Sequence, residues 1–332
     1  MTDSTIDIFG TLGPSCEDPE ILKEMFSEGM TGIRVNLSHV MLSDYADRIA
    51  MVRDAAGRTG FSPKILIDMQ GPEIRIGSFE NDMHLEEGKP FILGSGGIPV
   101  DSKILTHLKA GDEVLLDDGK ILARVTENKG NSVILITERG GVLAPRKSLA
   151  VKNTNIEMPT MTDADLINLK NAPDLGITGV MQPFVRNRDD LKNVRHALSQ
   201  VGGQNIRLYA KIENQSGIEQ VEDLTGFCDE IVIARGDLGN AMPLWELPRA
   251  QKKIAGICNK NRRPFMVVTQ MLSSMENNPV PTRAEVSDIY NAVLDGASSV
   301  MVTGETAIGK HPVEVIRYLS MTAGEALKDR QR

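Results

Sequence analysis

The chain has 332 residues, of which 41% are hydrophobic and 25% charged, the balance of a globular protein rather than a disordered or fibrous one; its length suits one barrel-sized core plus an insertion. A formal net charge of −8 with 4% aromatic residues argues against a nucleic-acid surface. With no apolar run near the ~20 residues of a membrane span and no leader-like segment at Met1–Ser4, no membrane partner and a cytoplasmic setting are expected, while Cys16, Cys228 and Cys258, without a CxxC pair, point away from disulfides and zinc.

From the N-terminus, short β-rich runs alternate with amphipathic stretches. Candidate strands are Ile6–Thr11, Gly32–Ser38 and Lys64–Met69, then Ile177–Phe184, Arg207–Ile212, Glu230–Gly236, Pro264–Gln270 and Ser298–Gly304. Eight strands, each followed by a helix, predict an α/β fold, a TIM (β/α)8 barrel. Pro19 after Glu17-Asp18, Asp163, the Thr282-Arg283-Ala284-Glu285 capping box and Pro312 mark helix starts. Between about Gly77 and Asn155 the alternation breaks. Gly94–Gly97, Asp118-Gly119 and Gly140-Gly141 punctuate short strands such as Glu113–Leu116 and Ser132–Thr137, the pattern of an all-β unit. The expected organisation is a barrel over 1–76 and 156–332 with a small β lid, 77–155, inserted after strand three, where loops open onto the face that carries active sites in this fold.

Polar residues gather at the ends of the predicted strands: Arg34 to His39, Asp68 with Glu73 and Arg75, Lys211 to Asn214, Ala234 to Gly239, Thr269-Gln270 and Thr303 to Thr306. In a barrel these converge on one mouth. Glu213 and Asp237, on adjacent strands, suit a hard divalent cation, Mg²⁺ or Mn²⁺, completed by substrate oxygens and water. Arg34, Arg75 and Lys211 add positive charge suited to a phosphorylated or carboxylated substrate. Cys16 and His84 have no partner constellation and read as structural or merely exposed, and Gly94–Gly97 lacks the helix and Lys-Ser/Thr ending of a phosphate loop.

The segments TLGPSCEDPEILKEMFSEGM, RVNLSHV, LIDMQGPEIRIG, AKIENQSGIE, VIARGDLG and VVTQMLSSMENNPVPTRAEVSDIYNAVLDGASSVMVTGETAIGKHP, in this order across nearly the whole chain, resemble the pyruvate kinase family. The resemblance implies transfer of the phosphoryl group of phosphoenolpyruvate to ADP, giving pyruvate and ATP, with Mg²⁺ and usually K⁺. It implies Glu213 and Asp237 as Mg²⁺ ligands, and Lys211, Arg34 and Arg75 as cations around the transferring group. Thr269 would belong to the relay that protonates the enolate. The amides of Ala234, Arg235, Gly236 and Asp237 would receive the substrate carboxylate. Asn36, Ser38, Asp68 and the backbone oxygen of Met69 match the K⁺ ligands, and Thr11, Pro14, His39 and Lys147 the nucleotide side.

Several positions depart from the family pattern: Asp7 replaces a basic residue, Pro183 a Ser, and Ala150-Val151-Lys152-Asn153 the NLPG-like end of the lid. Glu73 resembles K⁺-dependent members, whereas Met69, Gln70 and Ile76 resemble those that do without it. The family's C-terminal regulatory domain has no counterpart after the helix expected from Pro312 to about Lys328, which implies no effector site of that kind and at most a homodimer through barrel contacts. Two other readings keep the same residues: an enolate-forming lyase or decarboxylase on a related 2-oxo acid, and a non-catalytic sensor of phosphoenolpyruvate.

Overall fold

The computed structural model describes residues 5–38, 40–117, 119–151 and 158–330. Strand β1 (Asp7–Thr11) leads to helix α1 (Pro19–Ser27), which starts where the sequence signals it: the Asp18 carboxylate accepts the amides of Glu20 and Ile21, and Pro19 fills the first turn. Strand β2 (Gly32–Asn36), helix α2 (Ala46–Gly57) and strand β3 (Lys64–Asp68) follow.

The next stretch is antiparallel: β4 (Met83–Leu85), β5 (Pro90–Gly94), the short helix α3 (Ser102–Leu105), β6 (Glu113–Leu116), β7 (Ile121–Asn128), β8 (Ser132–Arg139), β9 (Gly141–Leu143) and β10 (Leu149–Val151). They form a five-stranded sheet, β10-β6-β7-β8-β5, and the pair β4-β9. Alternate residues of β7 and β8, among them Ile121, Ala123, Val125, Val133 and Leu135, are buried in one core, so these strands read with period two. Lys152 and Asn153, at the departure from the family's lid ending, lie outside the described residues.

Parallel order then resumes with α4 (Asp163–Asn171), β11 (Gly179–Gln182), α5 (Arg188–Gln200), β12 (Arg207–Ile212), α6 (Gln215–Leu224), β13 (Glu230–Ala234), α7 (Arg235–Ala241), α8 (Leu247–Lys260), β14 (Phe265–Val268), α9 (Arg283–Leu294), β15 (Ser299–Met301), α10 (Gly304–Ala307) and α11 (Pro312–Arg330). Among the described residues, eight parallel strands close in the order β1-β15-β14-β13-β12-β11-β3-β2, with Phe9 opposite Met301 at the closing seam. The fold is the expected TIM barrel. Its interior is filled by Phe9, Leu66, Met181, Tyr209, Val232, Met266, Val268 and Met301, and large side chains face small ones: a Cβ on Gly179 would come within 2.6 Å of both Leu66 Cδ2 and the Tyr209 ring.

One predicted helix start shifts by a residue. Helix α4 is capped by Thr162, not Asp163, in a reciprocal box with Asp165, while the Thr282/Glu285 box forms as predicted. Six predicted strands end early, with β2, β3 and β11 stopping one or two residues short. Strand β13 stops at Ala234 because Arg235 already opens α7; β14 stops at Val268 because Thr269 and Gln270 turn left-handed; β15 stops at Met301, three residues before α10.

The chain divides into two compact units, one of residues 1–71, 160–238 and 246–332, the other of 72–159 with 239–245. Each has its own apolar core.

Candidate active site

At the carboxyl ends of β2, β3 and β12, four predicted residues meet in one ion cluster. Asp68 Oδ2 accepts from Arg34 Nε at 2.9 Å and lies 2.7 Å from Arg34 Nη2 and 3.2 Å from Lys211 Nζ. On its other side the Lys211 ammonium stands 2.8 Å from Glu213 Oε1. Lys211 and Glu213 are two apart on β12 and its end, hence on one face of the strand. Glu213 Oε2 accepts the Phe184 amide at 2.7 Å, which ties the site to the end of β11. All four side chains are nearly closed to solvent, at 13% or less exposed.

The electrostatics follow from that burial. Burial alone raises the Asp68 carboxyl, but Lys211 and Arg34 outweigh it and hold Asp68 below the ordinary range. Burial likewise pulls the Lys211 ammonium down, and Asp68 and Glu213 more than reverse this. For Glu213 burial wins. Lys211 offsets it only in part, and the charges of Asp237 and Asp68 push the carboxyl further up. Three carboxyl groups, Asp68, Glu213 and Asp237, stand against two cations, Arg34 and Lys211, and the raised Glu213 is where that imbalance is felt.

That imbalance is what a bound cation relieves. Glu213 Oε1, although close to Lys211, makes no aligned hydrogen bond, and Asp68 Oδ1 is also buried without one. Buried carboxylate oxygens left in this way are costly unless a further charge or donor reaches them. Among the described residues no three or more His, Cys, Asp or Glu form a ready-made cage. The donor set therefore suits Mg²⁺, which keeps one or two protein carboxylates and takes its other oxygens from substrate and water.

Adjoining this cluster, Ala234 ends β13, and Arg235, Gly236 and Asp237 form the first turn of α7, with no separate turn between strand and helix. The Thr269 methyl packs so closely on Gly236 that a Cβ there would meet it at 2.9 Å. Thr269 itself has φ +79° and Gln270 φ +56°, an outlying conformation for a β-branched residue. The Arg235 guanidinium grips the Thr269 carbonyl through Nε at 3.1 Å and Nη2 at 2.8 Å, and its Nη1 donates to Asp288 on α9 at 2.6 Å. Neither the grip nor Asp288 follows from sequence spacing, because 34 and 53 residues separate the partners.

The other predicted residues lie as follows. Asn36 is exposed, and its side-chain oxygen accepts the Ser38 amide at 3.2 Å and hydroxyl at 2.9 Å, closing a local turn after β2. Met69 is buried and its amide bonds to the Met181 carbonyl. Thr11 is buried, and its hydroxyl donates to the Val302 carbonyl at 2.9 Å while its amide and carbonyl bond the Thr306 hydroxyl; the side chain braces the barrel wall. Pro14 is exposed nearby in the chain, and His39 lies outside the described residues. Arg75 and Lys147 belong to the second unit. There Arg75 pairs with Glu73 and donates to the Arg146 carbonyl, and Lys147 pairs with Asp117 at 2.8 Å. Cys16 is buried and its thiol is pushed up to about 11 by burial, which leaves it inert, and His84 is exposed in the second unit. No helix among the described residues is long and apolar enough to cross a membrane.

Comparison with known proteins adds ancestry to this geometry. The family model described as "Pyruvate kinase, barrel domain" matches residues 4–316. The chain is 36% identical to the pyruvate kinase of Aeropyrum pernix, covering 97% of this chain and 71% of that protein. It is 34% identical to that of Clostridium acetobutylicum, covering 95% and 69%, and 35% identical to that of Geobacillus stearothermophilus, covering 94% and 55%.

Proposed function

Because this chain belongs to the pyruvate kinase family, we propose that it transfers the phosphoryl group of phosphoenolpyruvate to ADP, giving pyruvate and ATP. The observation that carries the reading is the Arg34–Asp68–Lys211–Glu213 cluster at the barrel mouth, two buried cations beside carboxylate oxygens that lack hydrogen bonds. Phosphoryl transfer asks little of a protein beyond positioning and charge neutralisation on the equatorial oxygens.

In this reading Lys211 and Arg34 flank the transferring group. Asp68 holds both cations in place, which preorganises them. The family resemblance gives Arg75 a charge-neutralising role and gives Thr11, Pro14, His39 and Lys147 the nucleotide side. Glu213 and Asp237 would hold Mg²⁺, which supplies neutralisation of phosphoryl and enolate charge when bound. Asp68, Asn36, Ser38 and the Met69 carbonyl would hold K⁺; the buried Asp68 Oδ1 is the acceptor that supports this. The amides of Ala234 to Asp237, in the opening turn of α7, take the substrate carboxylate, and the missing side chain of Gly236 lets the Thr269 methyl pack beside them. The Thr269 hydroxyl hands on the proton that reaches C3 of the enolate.

The test is pyruvate formation from phosphoenolpyruvate with Mg²⁺ and K⁺, with and without ADP. ADP-dependent pyruvate is expected. Pyruvate from oxaloacetate alone would assign a decarboxylase, and binding without turnover a sensor. Lys211→Met should lower kcat by about a hundred- to a thousandfold, the scale for losing one aimed charge, with Mg²⁺ binding followed separately by titration. Survival of activity would remove Lys211 from the mechanism.

A further inference from the structure

We infer that Asp288 is a positioning residue for this reaction: by anchoring the Arg235 guanidinium it holds Thr269 in its left-handed backbone conformation and so places the Thr269 hydroxyl. The inference rests on the function proposed above for its catalytic half, and on geometry alone for its structural half.

Two successive non-glycine residues with positive φ, Thr269 and Gln270, do not persist unless their surroundings over-determine them. The surroundings are specific. Arg235 Nε and Nη2 converge on the one carbonyl that the unusual Thr269 conformation presents, and Nη2 also lies 3.0 Å from Met271 Sδ. The guanidinium is planar, so once two nitrogens hold the carbonyl the third direction is set. Along it stands Asp288, 2.6 Å from Nη1.

The Arg235 side chain is only 10% exposed, so its charge depends on that carboxylate. Asp288 is itself fixed, because it lies in α9, whose first turn is closed by the Thr282/Glu285 box. Glu285 in turn accepts the Ser274 amide at 2.7 Å, tying α9 to the same loop a second time. Helix α9 thus holds the loop after β14 at two points, one at Ser274 and one, through Arg235, at Thr269.

On the Gly236 side the methyl of Thr269, not its hydroxyl, fills the contact. A relaxation of the Thr269 backbone toward negative φ would swing the side chain off Gly236 and the hydroxyl away from the substrate. The affected step is the proton's: the C3–H bond of pyruvate breaks and its proton passes to the relay, or in the physiological direction a proton from the relay closes a new C3–H bond on the enolate. No redox partner is involved.

The experiment compares wild type, Asp288→Ala, Asp288→Asn, Arg235→Met and the Arg235→Met/Asp288→Ala double variant. Exchange of the pyruvate methyl hydrogens in D₂O with Mg²⁺ and ATP is followed by NMR beside steady-state kinetics. Asp288→Ala should lower kcat and the exchange rate together by roughly ten- to a hundredfold, the scale of a misplaced group, with the KM for ADP changed by less than about threefold. Asp288→Asn, which keeps an acceptor, should recover part of both. The double variant should be no slower than Arg235→Met. Unchanged kcat and exchange in Asp288→Ala, or losses that multiply in the double variant, would overturn the proposal. A crystal structure of Asp288→Ala, which removes the anchor, decides the structural half independently: φ of Thr269 returning to negative values supports it, and retention of positive φ overturns it. Should wild type make no ADP-dependent pyruvate, it is the function that fails, and the φ of Thr269 still judges the role of Asp288.

Discussion

Glu230 opens β13 at the amino end of the barrel, 2% exposed. Its Oε1 accepts the hydroxyls of Ser298, at 3.0 Å, and of Ser299, and its Oε2 lies 3.3 Å from Arg207 Nη2. Burial raises its carboxyl above the ordinary range despite these partners. The folded state therefore binds a proton that the unfolded chain releases, so this group's contribution to stability is fully present below the unfolded pKa and is lost as pH rises through the raised folded value. Glu230→Gln keeps an acceptor for the serines and removes the charge. Melting temperatures across the acid-to-neutral range should show the variant gaining on wild type as pH rises; a constant difference would mean that Glu230 stays ionised throughout. Asp68, shifted in the opposite direction by Lys211 and Arg34, gives the reverse slope in both proteins and cancels in the comparison. Burial decides the first residue, and paired cations decide the second.

Among the elements, α4 shows how a local cap is given a tertiary task. Its capping box was legible in part: Asp163 marks the right place, but the acceptor that matters is Asp165, whose Oδ1 takes the Gln70 amide at 2.8 Å and whose Oδ2 takes the amides of Gly71 and Thr162 at 2.9 Å. With 95 residues between Asp165 and Gln70, no spacing rule finds this. Asp165→Ala would orphan three backbone donors at once, each costing about 1–3 kcal/mol when buried. A loss of roughly 3 kcal/mol or more in chemical denaturation is expected, against about 1 kcal/mol for an ordinary cap. A loss near the smaller figure would show that water replaces the carboxylate. The same distinction runs through the site. The strand starts, the glycine-punctuated insert, and the residues Lys211, Glu213, Asp68 and Arg34 follow from local pattern and family resemblance, because barrel strands end on one mouth. The early end of β14 and the roles of Arg235 and Asp288 depend on contacts across 34 and 53 residues, which periodicity does not encode.

For the whole molecule, the separate cores of the two units make a direct experiment available. The amides of Gly71 and Thr162 bond the same Asp165 oxygen, so these nitrogens lie within roughly 6 Å, two hydrogen-bond lengths. The junction itself runs from Gly71 to Thr160, two residues before Thr162, so the span is at most about 13 Å, which four residues cover at ~3.5 Å each. Replacing 72–159 by a four-residue Gly-Ser-Gly-Ser link should therefore leave the barrel unit without strain at the junction. None of the side chains that fill the barrel, Phe9, Leu66, Met181, Tyr209, Val232, Met266, Val268 and Met301, is removed, and the Arg34–Asp68–Lys211–Glu213 cluster is kept whole. The shortened chain is expected to unfold in a single cooperative thermal transition and to bind Mg²⁺. It should lose ADP-dependent turnover, since Arg75 and Lys147 leave with the insert. A chain that fails to fold would show that the barrel core depends on the second unit. Retained ADP-dependent activity would confine the nucleotide side to the barrel and strip Lys147 of the role proposed for it.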